Sequence, residues 1–261
     1  MKVDYATVQK RRDDIMMLIQ KLGEVTVEQL VNDFNVSNIT IRRDLQYWED
    51  RGAIIRFHGG AKIVQHMVNH NNTYFSNDRY KHAIAKYASN FVKEGDTVFI
   101  NTSSTAILVL QYIKKRCTVI TNNAKAVLME HAPEVSIILT GGELRFPKEA
   151  MIGDIVLNNL SRVTADICFL GCSGISAQYG ITTAIHAETA VNEAMLNKTI
   201  GQKFILADYT KVGATYSFTS GYVDEIDYLI TDINANAEEI QRIKKKGVKT
   251  VLLEPIIEKA K

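Results

Sequence analysis

The chain has 261 residues, of which 46% are hydrophobic and 23% are charged, a balance typical of a globular protein rather than a disordered or fibrous one. Lysine and arginine number 31 against 29 aspartates and glutamates, so the net charge by itself does not indicate a nucleic-acid partner. No stretch has the ~18 unbroken apolar residues of a membrane helix. Three cysteines without a C-x-x-C pair predict reduced thiols in a cytoplasmic protein.

Three short helices are predicted over about the first fifty residues. The first is Arg11–Leu22, whose apolar residues recur at helical spacing. Thr26 and Gln29 form a T-x-x-Q capping box that begins the second helix, and Ser37 caps a third that ends near Arg51. Two helices joined by a short turn are typical of the DNA-reading helix-turn-helix unit.

The third predicted helix carries chemistry suited to DNA. With Ile41 at the centre of the buried face, the exposed N-terminal half consists of Asn38, Ile39, Thr40, Arg42 and Arg43. Guanidinium and hydroxyl groups bind phosphates and base edges, and the Ser37 cap at the helix N-terminus suits a phosphate. The alternative is a solvated face in which Arg42 and Arg43 pair with Asp44 or Asp50.

A hairpin and a linker are predicted next. Strands Ala53–Phe57 and Ala61–Val64 flank His58-Gly59-Gly60, with Arg56 at a position typical of a DNA-binding wing. The polar, Asn-rich stretch that follows is typical of a linker or hinge. We therefore expect a DNA-binding domain at 1–62, a linker at 63–77 and a second domain at 78–261. His66 and His70 in that stretch have no acidic neighbours, so we expect no metal site there. We also expect no cofactor.

The rest of the sequence alternates between strands and helices. The predicted strands are Thr97–Ile100, Cys117–Ile120, Val135–Leu139, Asp166–Leu170, Lys203–Leu206, Tyr228–Ile230 and Thr250–Leu253. The predicted helices are Ser104–Lys114, Ala124–His131, Ala187–Ile200 and Ala237–Lys246. Short apolar strands between helices predict an α/β domain with a mostly parallel sheet covered on both faces.

Three loops directly after predicted strands are candidates for ligand binding, because open α/β sheets bind ligands at strand ends. Residues 101–105 read Asn-Thr-Ser-Ser-Thr and precede a predicted helix, so free N–H groups and the helix dipole would form an anion site there. Residues 141–145 read Gly-Gly-Glu-Leu-Arg, in which Arg145 would clamp a phosphate or carboxylate. Residues 171–175 read Gly-Cys-Ser-Gly-Ile. An empty N-cap or a plain turn is the alternative for each.

The first domain resembles the DeoR family of bacterial transcriptional regulators. The stretch VSNITIRRDLQYWEDRGAIIRFHGGA matches V-S-x-x-T-[IV]-R-R-D-L followed by R-x-H-G-G-A. The resemblance implies a winged helix-turn-helix that contacts operator DNA. With the exposed face derived above, the DNA-contact candidates are Arg11, Thr26, Ser37, Asn38, Thr40, Arg42, Arg43, Arg56, His58 and Gly59.

The resemblance extends over nearly all of the remaining chain. Thr121-Asn122, G-G-E-L-R at 141–145, F-L-G at 169–171, G-I-T-T at 180–183 and D-Y-T-K-V-G at 208–213 are similar to the DeoR C-terminal sensor domain. That domain is related in fold to ribose-5-phosphate isomerase, glucosamine-6-phosphate deaminase and CoA-transferases, and the resemblance implies that it senses a phosphorylated sugar. The effector-contact candidates are Asn101, Thr102, Ser103, Ser104, Thr105, Gly141, Gly142, Arg145, Gly171, Ser173, Glu188 and Lys211.

The chain also departs from the family pattern. Asn101 replaces a common Asp, Cys172-Ser173 replaces a common Ala-[Asp/Asn], and Asn192 replaces a common Lys. Because proton transfer needs a positioned acid or base, these losses predict that the protein is not an enzyme. We therefore expect a repressor, active as a homodimer or homotetramer on symmetric DNA sites. The alternatives are an isomerase or deaminase with an added helical domain, and a metabolite-binding module whose helical domain binds protein.

Overall fold

A computed structural model describes residues 5–49, 54–57, 59–63, 73–146 and 148–256, and internal contacts divide the chain into Met1–Phe75 and Ser76–Lys261. We call these the first and second units. The three helices of the first unit are α1 (Tyr5–Leu22), α2 (Val27–Phe34) and α3 (Asn38–Glu49). Its three strands are β1 (Glu24–Thr26), β2 (Ile54–Phe57) and β3 (Gly60–Ile63).

Local hydrogen bonds explain where the helices of the first unit begin. The Thr26 hydroxyl accepts from the N–H of Gln29 at 3.1 Å, and the Ser37 hydroxyl accepts from the N–H of Thr40 at 3.3 Å. Asn35 adopts the left-handed conformation, with φ of 50°, and ends α2. The predicted helix starts at Thr26 and Ser37 are therefore confirmed, whereas α1 begins at Tyr5, six residues before the predicted start at Arg11.

The predicted hairpin belongs to a three-stranded antiparallel sheet with the order β1-β3-β2. Sequence patterns missed β1 because it has only three residues. A Cβ on Gly60 would lie 2.4 Å from the carbonyl oxygen of Val25 on β1. Gly60 therefore allows β1 and β3 to pack closely, while Gly59 has φ of +89° and open space around it.

Helices α1 and α3 are joined by a buried carboxylate. Asp44 is 1% exposed, and its two oxygens accept from Arg11 Nε at 2.7 Å and Arg12 Nε at 3.0 Å. The indole N–H of Trp48 donates to the carbonyl oxygen of Arg12 at 2.9 Å, and Ile41 on α3 packs in the same core. A buried carboxylate needs such partners to compensate for its lost hydration.

The second unit is built on strands β4 to β15. In chain order they are Thr97–Ile100, Cys117–Thr121, Val135–Leu139, Glu143–Arg145, Ala150–Ile152, Ala165–Leu170, Gly174–Ser176, Gly180–Thr183, Thr199–Leu206, Phe218–Gly221, Tyr228–Asp232 and Lys249–Leu253. Its α-helices α4 to α7 are Thr73–Ser89, Asp154–Ser161, His186–Asn197 and Ala237–Lys245.

Seven of these strands form one sheet in the order β15-β14-β12-β9-β4-β5-β6, and every pair in it is parallel. Hydrophobic clusters lie on both of its faces, one containing Phe99 and the other Phe169 and Phe204. This confirms the predicted α/β fold with a parallel sheet. The described helices include none that is long and apolar enough to span a bilayer.

Helix α4 begins at Thr73, inside the stretch 63–77 that we expected to be a linker; residues 64–72 lie outside the described part of the chain. No helix was predicted here because the residues at its start are polar and show no apolar periodicity. Its later residues Ala83, Ile84 and Ala88 are buried. The boundaries of the two domains and the linker therefore stay predictions.

Two predicted helices have a different form. The segments predicted as helices at 104–114 and 124–131 are short 3-10 helices, Ala106–Gln111 and Ala124–Leu128. β-branched Ile107 and Val109 lower the α-helix propensity of the first. Sequence patterns also missed α5 and the short strands β7, β8, β10, β11 and β13, which pack outside the main sheet.

We expect Asp44→Asn to lower the free energy of unfolding of the first unit by about 3 kcal/mol, because it removes the buried negative charge that Arg11 and Arg12 share. Urea unfolding followed by tryptophan fluorescence measures this, since Trp48 is the single tryptophan and lies in the first unit. Asp33→Asn, at an exposed position on α2, is the matched control. Equal midpoints for the two variants would contradict this role of Asp44.

Candidate functional site

Helix α3 presents an exposed polar face. Arg42 and Arg43 are exposed and Ile39 is 66% exposed, while Ile41 and Leu45 are buried. Asn38 and Gln46 are also exposed, and Thr40 is half-buried. The side chains that helical periodicity predicts to be exposed thus lie on one face of α3 in the structure.

The arginines on this face form no ion pair with Asp44. Asp44 points inward to Arg11 and Arg12, so the alternative in which it pairs with Arg42 or Arg43 is wrong. Asp50, the other alternative, lies outside the described residues. Within the described part of the chain, Arg42 and Arg43 form no ion pair, and their guanidinium groups are available to an external anion.

Several other DNA-contact candidates have partners inside the first unit. Arg56 on β2 donates from Nη1 to Gln46 Oε1 at 2.7 Å, and its Nε lies 3.5 Å from Glu49 Oε2. It therefore ties the hairpin to α3. Arg11 is bound to Asp44, and the hydroxyls of Ser37 and Thr40 lie 2.9 Å apart. Thr26 caps α2, Gly59 is exposed, and His58 lies outside the described residues.

The second unit contains a cavity of about 530 Å³ at the point where the strand order reverses. The chain runs from β4 outward to β5 and β6, then returns to β9 on the other side of β4. Loops after two such strands diverge and leave a crevice at their carboxyl ends. The cavity is lined by Lys81, Asn101, Thr102, Ser103, Ser104, Thr105, Asn123, Lys125, Lys148, Gly171, Cys172, Ser173, Thr183, Ala184, Ile185, Glu188, Asn192, Leu206, Ala207, Asp208, Lys211 and Tyr216.

A buried amide network holds the loops after β4 and β9 together. Asn101 is 2% exposed; its Nδ2 donates to the Gly171 carbonyl and to Asn192 Oδ1, both at 2.9 Å. Its Oδ1 accepts from the N–H of Gly171 at 3.0 Å and that of Ser103 at 3.2 Å. The departures at 101 and 192 thus form one neutral hydrogen-bonded pair.

The expected row of free N–H groups at 101–105 is not observed. The Ser103 hydroxyl accepts from the N–H groups of Thr105 and Ala106 at 3.1 and 3.2 Å, and the N–H of Ser103 is bound to Asn101. The following helix is a six-residue 3-10 helix, so its dipole is small. Ser104 lines the cavity and is the most exposed residue of this loop.

Lysine side chains supply the positive charge instead. Four lysines line the cavity, against the two carboxylates Glu188 and Asp208. Lys125 pairs with Glu149 at 3.1 Å and Lys148 with Glu188 at 3.0 Å. Lys81 and Lys211 form no ion pair with any described residue, and the four lysines outnumber the carboxylates at the cavity wall.

Lys211 is positioned by buried carboxylates. It lies on a 3-10 helix capped by Asp208, whose Oδ1 accepts from the N–H of Thr210 at 3.0 Å. The N–H of Tyr209 donates to Asp232 Oδ2 at 2.7 Å. Burial raises the pKa of Asp232, although hydrogen bonds from the backbone of Tyr209 and Asn234 act in the opposite direction. This helix therefore holds Lys211 at the cavity wall.

Cys172 is the one cysteine that lines the cavity, and burial raises the pKa of its thiol to about 12. A thiol at that pKa is neutral at physiological pH and therefore a poor nucleophile. Glu188 is 6% exposed and is held by Lys148 and by the Thr183 hydroxyl, which donates to it at 3.1 Å. The carboxylate of Glu188 is thus held by a cation and a hydroxyl at the cavity wall.

Nine of the twelve effector-contact candidates line the cavity; Gly141, Gly142 and Arg145 do not. A Cβ on Gly142 would lie 2.7 Å from the Ile152 carbonyl oxygen, so this glycine serves close packing, and Arg145 is exposed on β7. Sequence analysis missed Lys81, Lys125 and Lys148. Lys81 had no sequence signal, because it lies on α4, where no helix was predicted.

No group of three or more histidine, cysteine or acidic side chains within the described ranges could hold a metal ion. His66 and His70, which we considered for a metal site, lie outside those ranges.

Two family models match the chain. A DeoR-like helix-turn-helix domain matches residues 11–67, and a DeoR C-terminal sensor domain matches residues 76–233.

Three curated relatives are similar over almost their whole length. The HTH-type transcriptional regulator GolR of Listeria innocua is 30% identical, covering 94% of this chain and 98% of its own. The HTH-type transcriptional repressor GlcR of Bacillus subtilis is 30% identical, covering 92% and 94%. The lactose phosphotransferase system repressor of Streptococcus mutans is 29% identical, covering 91% and 96%.

A similar solved structure is ribose 5-phosphate isomerase A from Methanocaldococcus jannaschii. It is 18% identical and covers 52% of this chain and 55% of its own, with a TM-score of 0.38.

We expect Asn101→Asp to lower the free energy of unfolding of the second unit by about 3 kcal/mol, because the carboxylate oxygen that replaces the donating Nδ2 would face two acceptors, the Gly171 carbonyl and Asn192 Oδ1. Adding Asn192→Lys places an ammonium beside that carboxylate, and we expect it to recover at least about 1 kcal/mol. Urea unfolding followed by far-ultraviolet circular dichroism measures both effects. Ser104→Asp, an added carboxylate at an exposed position, is the control; a double variant no more stable than Asn101→Asp would contradict the pairing.

Proposed function

The chain belongs to the DeoR family of DNA-binding transcriptional regulators, and from that premise we propose that it represses a carbohydrate-metabolism operon under the control of a phosphorylated sugar. Two relatives are named repressors, and one of them is the repressor of a lactose phosphotransferase system. These names support repression rather than activation, and an operon of sugar metabolism as the target. The family consists of regulators, which agrees with our prediction that this protein is not an enzyme.

Operator binding is assigned to the exposed face of α3. The observation that carries it is the inward turn of Asp44 toward Arg11 and Arg12, which leaves Arg42 and Arg43 exposed and free of ion pairs within the described residues. Such guanidinium groups bind phosphates and guanine. The first 62 residues carry ten basic and nine acidic residues, so recognition rests on the placement of these arginines and on paired half-sites rather than on bulk charge.

Effector binding is assigned to the cavity of the second unit. Lys81 and Lys211 have no ion-pair partners among the described residues, and a phosphate monoester carries about −1.5 to −2 charges at pH 7. Ser104 adds a hydroxyl group, while Glu188 and Asp208 can accept hydrogen bonds from sugar hydroxyls. Glu188, Lys211 and Ser173 keep the role proposed from sequence, and Lys81 joins them.

Regulation follows if the effector binds the DNA-bound and free conformations with different affinities, because only a differential affinity shifts such an equilibrium. Operators with two-fold symmetry match a regulator that acts as a homodimer or homotetramer. We place its action in the cytoplasm, where its DNA lies.

We expect Arg43→Ala to weaken binding to duplex DNA from the region upstream of its own gene by about 10- to 100-fold, because one bidentate arginine contact contributes about 1–3 kcal/mol. Fluorescence anisotropy at fixed salt measures this. Arg116→Ala, which removes an arginine that is 76% exposed in the second unit, should bind as the unaltered protein does. Lack of binding by the unaltered protein at low salt would overturn the DNA-binding proposal.

We expect Lys81→Met to lower affinity for a sugar phosphate at least about 10-fold, because it removes one ammonium group from the cavity wall. A thermal-shift screen of sugar phosphates, followed by calorimetry on the best ligand, measures this. Lys86→Met, at an exposed position on the same helix, is the matched control. Ser104→Asp should also weaken binding through repulsion of the phosphate, and undiminished affinity in both cavity variants would contradict this site.

A further inference from the structure

Strand β6 is an open edge of the parallel sheet. It has β5 as a neighbour on one side, and no described strand pairs with its other side. The N–H of Thr140 donates to the Thr121 carbonyl on β5 at 3.0 Å, and successive residues of a strand direct their N–H and C=O groups to opposite sides. The backbone groups of Ile137 and Leu139 therefore point outward and are available to another strand.

The surroundings of this edge are apolar. Seven large apolar residues between 127 and 155 are exposed by 37% to 88%: Val127, Leu128, Ile138, Leu139, Leu144, Phe146 and Ile155. Ala126, next to Val127, packs in the core on one face of the sheet, and Val156, next to Ile155, packs in the core on the other. Apolar side chains thus flank the edge of β6 on both faces. We call these seven residues the β6 patch.

The area of the β6 patch is sufficient for a stable association. If a fully exposed large side chain counts as about 200 Å², the seven residues expose roughly 800 Å², which is about one partner's share of a standard interface. Monomeric proteins rarely leave so large an apolar surface uncovered.

The opposite edge of the sheet is different. β15 carries Lys249, whose Nζ lies 5.1 Å from the centre of the Tyr228 ring, and the last turn of α7 beside it contains Arg242, Lys244 and Lys245. Lysines of this kind protect an edge strand from pairing. β6 has the sequence Val-Ser-Ile-Ile-Leu and carries no charge.

We propose that β6 pairs antiparallel with β6 of a second copy of this chain, so that the two sheets join across a two-fold axis at Ile138. The occupant is a second copy because an uncharged strand with unpaired backbone groups, flanked by exposed apolar side chains, can pair with an identical strand, as an isologous contact requires. In this register Ile137 faces the partner's Leu139 as a hydrogen-bonded pair, and Ile138 faces the partner's Ile138 as a non-hydrogen-bonded pair. The β6 patches of both copies cover each other.

This inference rests on the homodimer or homotetramer of the proposed function and names the surface that joins two copies. It supplies the two-fold axis that a regulator of symmetric DNA sites needs. Its test uses the mass of the full-length protein, which does not depend on DNA or effector, so its failure and the failure of the proposed function are distinguishable.

The first test is Ile138→Lys, which places two like charges directly opposite each other at the axis. Sedimentation equilibrium should show the unaltered protein at twice or four times 29.3 kDa, and the variant at half the unaltered mass, with the dissociation constant raised about 100-fold. Leu252→Lys on β15, where Leu252 is 40% exposed against 48% for Ile138, should keep the unaltered mass. An unaltered protein that sediments as a monomer at tens of micromolar concentration, or an Ile138→Lys variant that keeps its mass, overturns the proposal.

A second test holds even if that lysine disturbs folding. Cα atoms of a non-hydrogen-bonded antiparallel pair lie about 4.5 Å apart, within the range that a disulfide bridges. Ile138→Cys should therefore crosslink two chains when copper phenanthroline and dissolved oxygen take up the two electrons and two protons of the thiols. Ser136→Cys is the control, because the two copies of residue 136 would lie about 13 Å apart along the strands. Equal crosslinking of the two variants, or none in Ile138→Cys, overturns the register.

Discussion

The order of strands in the parallel sheet is the constraint on which the second unit depends. The chain enters the sheet at β4, near its middle, fills one side out to β6, and returns to β9 on the other side of β4. The loops after β4 and β9 must therefore diverge at the carboxyl ends of neighbouring strands. The loops after β4 and β9, which supply residues 101–105 and 171–173 to the cavity wall, take their place from that reversal.

Buried polar side chains then determine which neighbouring groups are exposed at the cavity and on α3. The side-chain amide of Asn101 forms hydrogen bonds with the Gly171 backbone, Asn192 and Ser103. It therefore ties two cavity loops together, and these backbone groups are not available to a ligand. Asp44 acts similarly in the first unit, where its inward turn toward two arginines of α1 fixes the rotation of α3. In both cases the cost of an unsatisfied buried polar group determines which neighbouring groups face solvent.

The charge of the cavity comes from side chains rather than from a helix end. The 3-10 helix after β4 has its first N–H groups bound by Ser103, and the two lysines without an ion-pair partner among the described residues, Lys81 and Lys211, are far apart in sequence. The same contrast between backbone and side chain applies at the sheet edges. β15 is protected by lysines, whereas β6 presents bare backbone groups among apolar residues.

The sequence by itself determined the family through its motifs. It also determined the helix starts at Thr26 and Ser37, the exposed face of α3 and the parallel sheet, because caps and apolar periodicity are local signals that survive without a fold. It also located nine of the residues around the cavity, seven of them in loops that follow predicted strands and two, Glu188 and Lys211, through the family resemblance. Only the tertiary structure decided that Asp44 pairs with Arg11 and Arg12, that Asn101 pairs with Asn192, that Lys81 reaches the cavity and that Gly141, Gly142 and Arg145 do not. These are contacts between residues distant in the chain, and their geometry is set by how helices and strands pack, which no local pattern encodes.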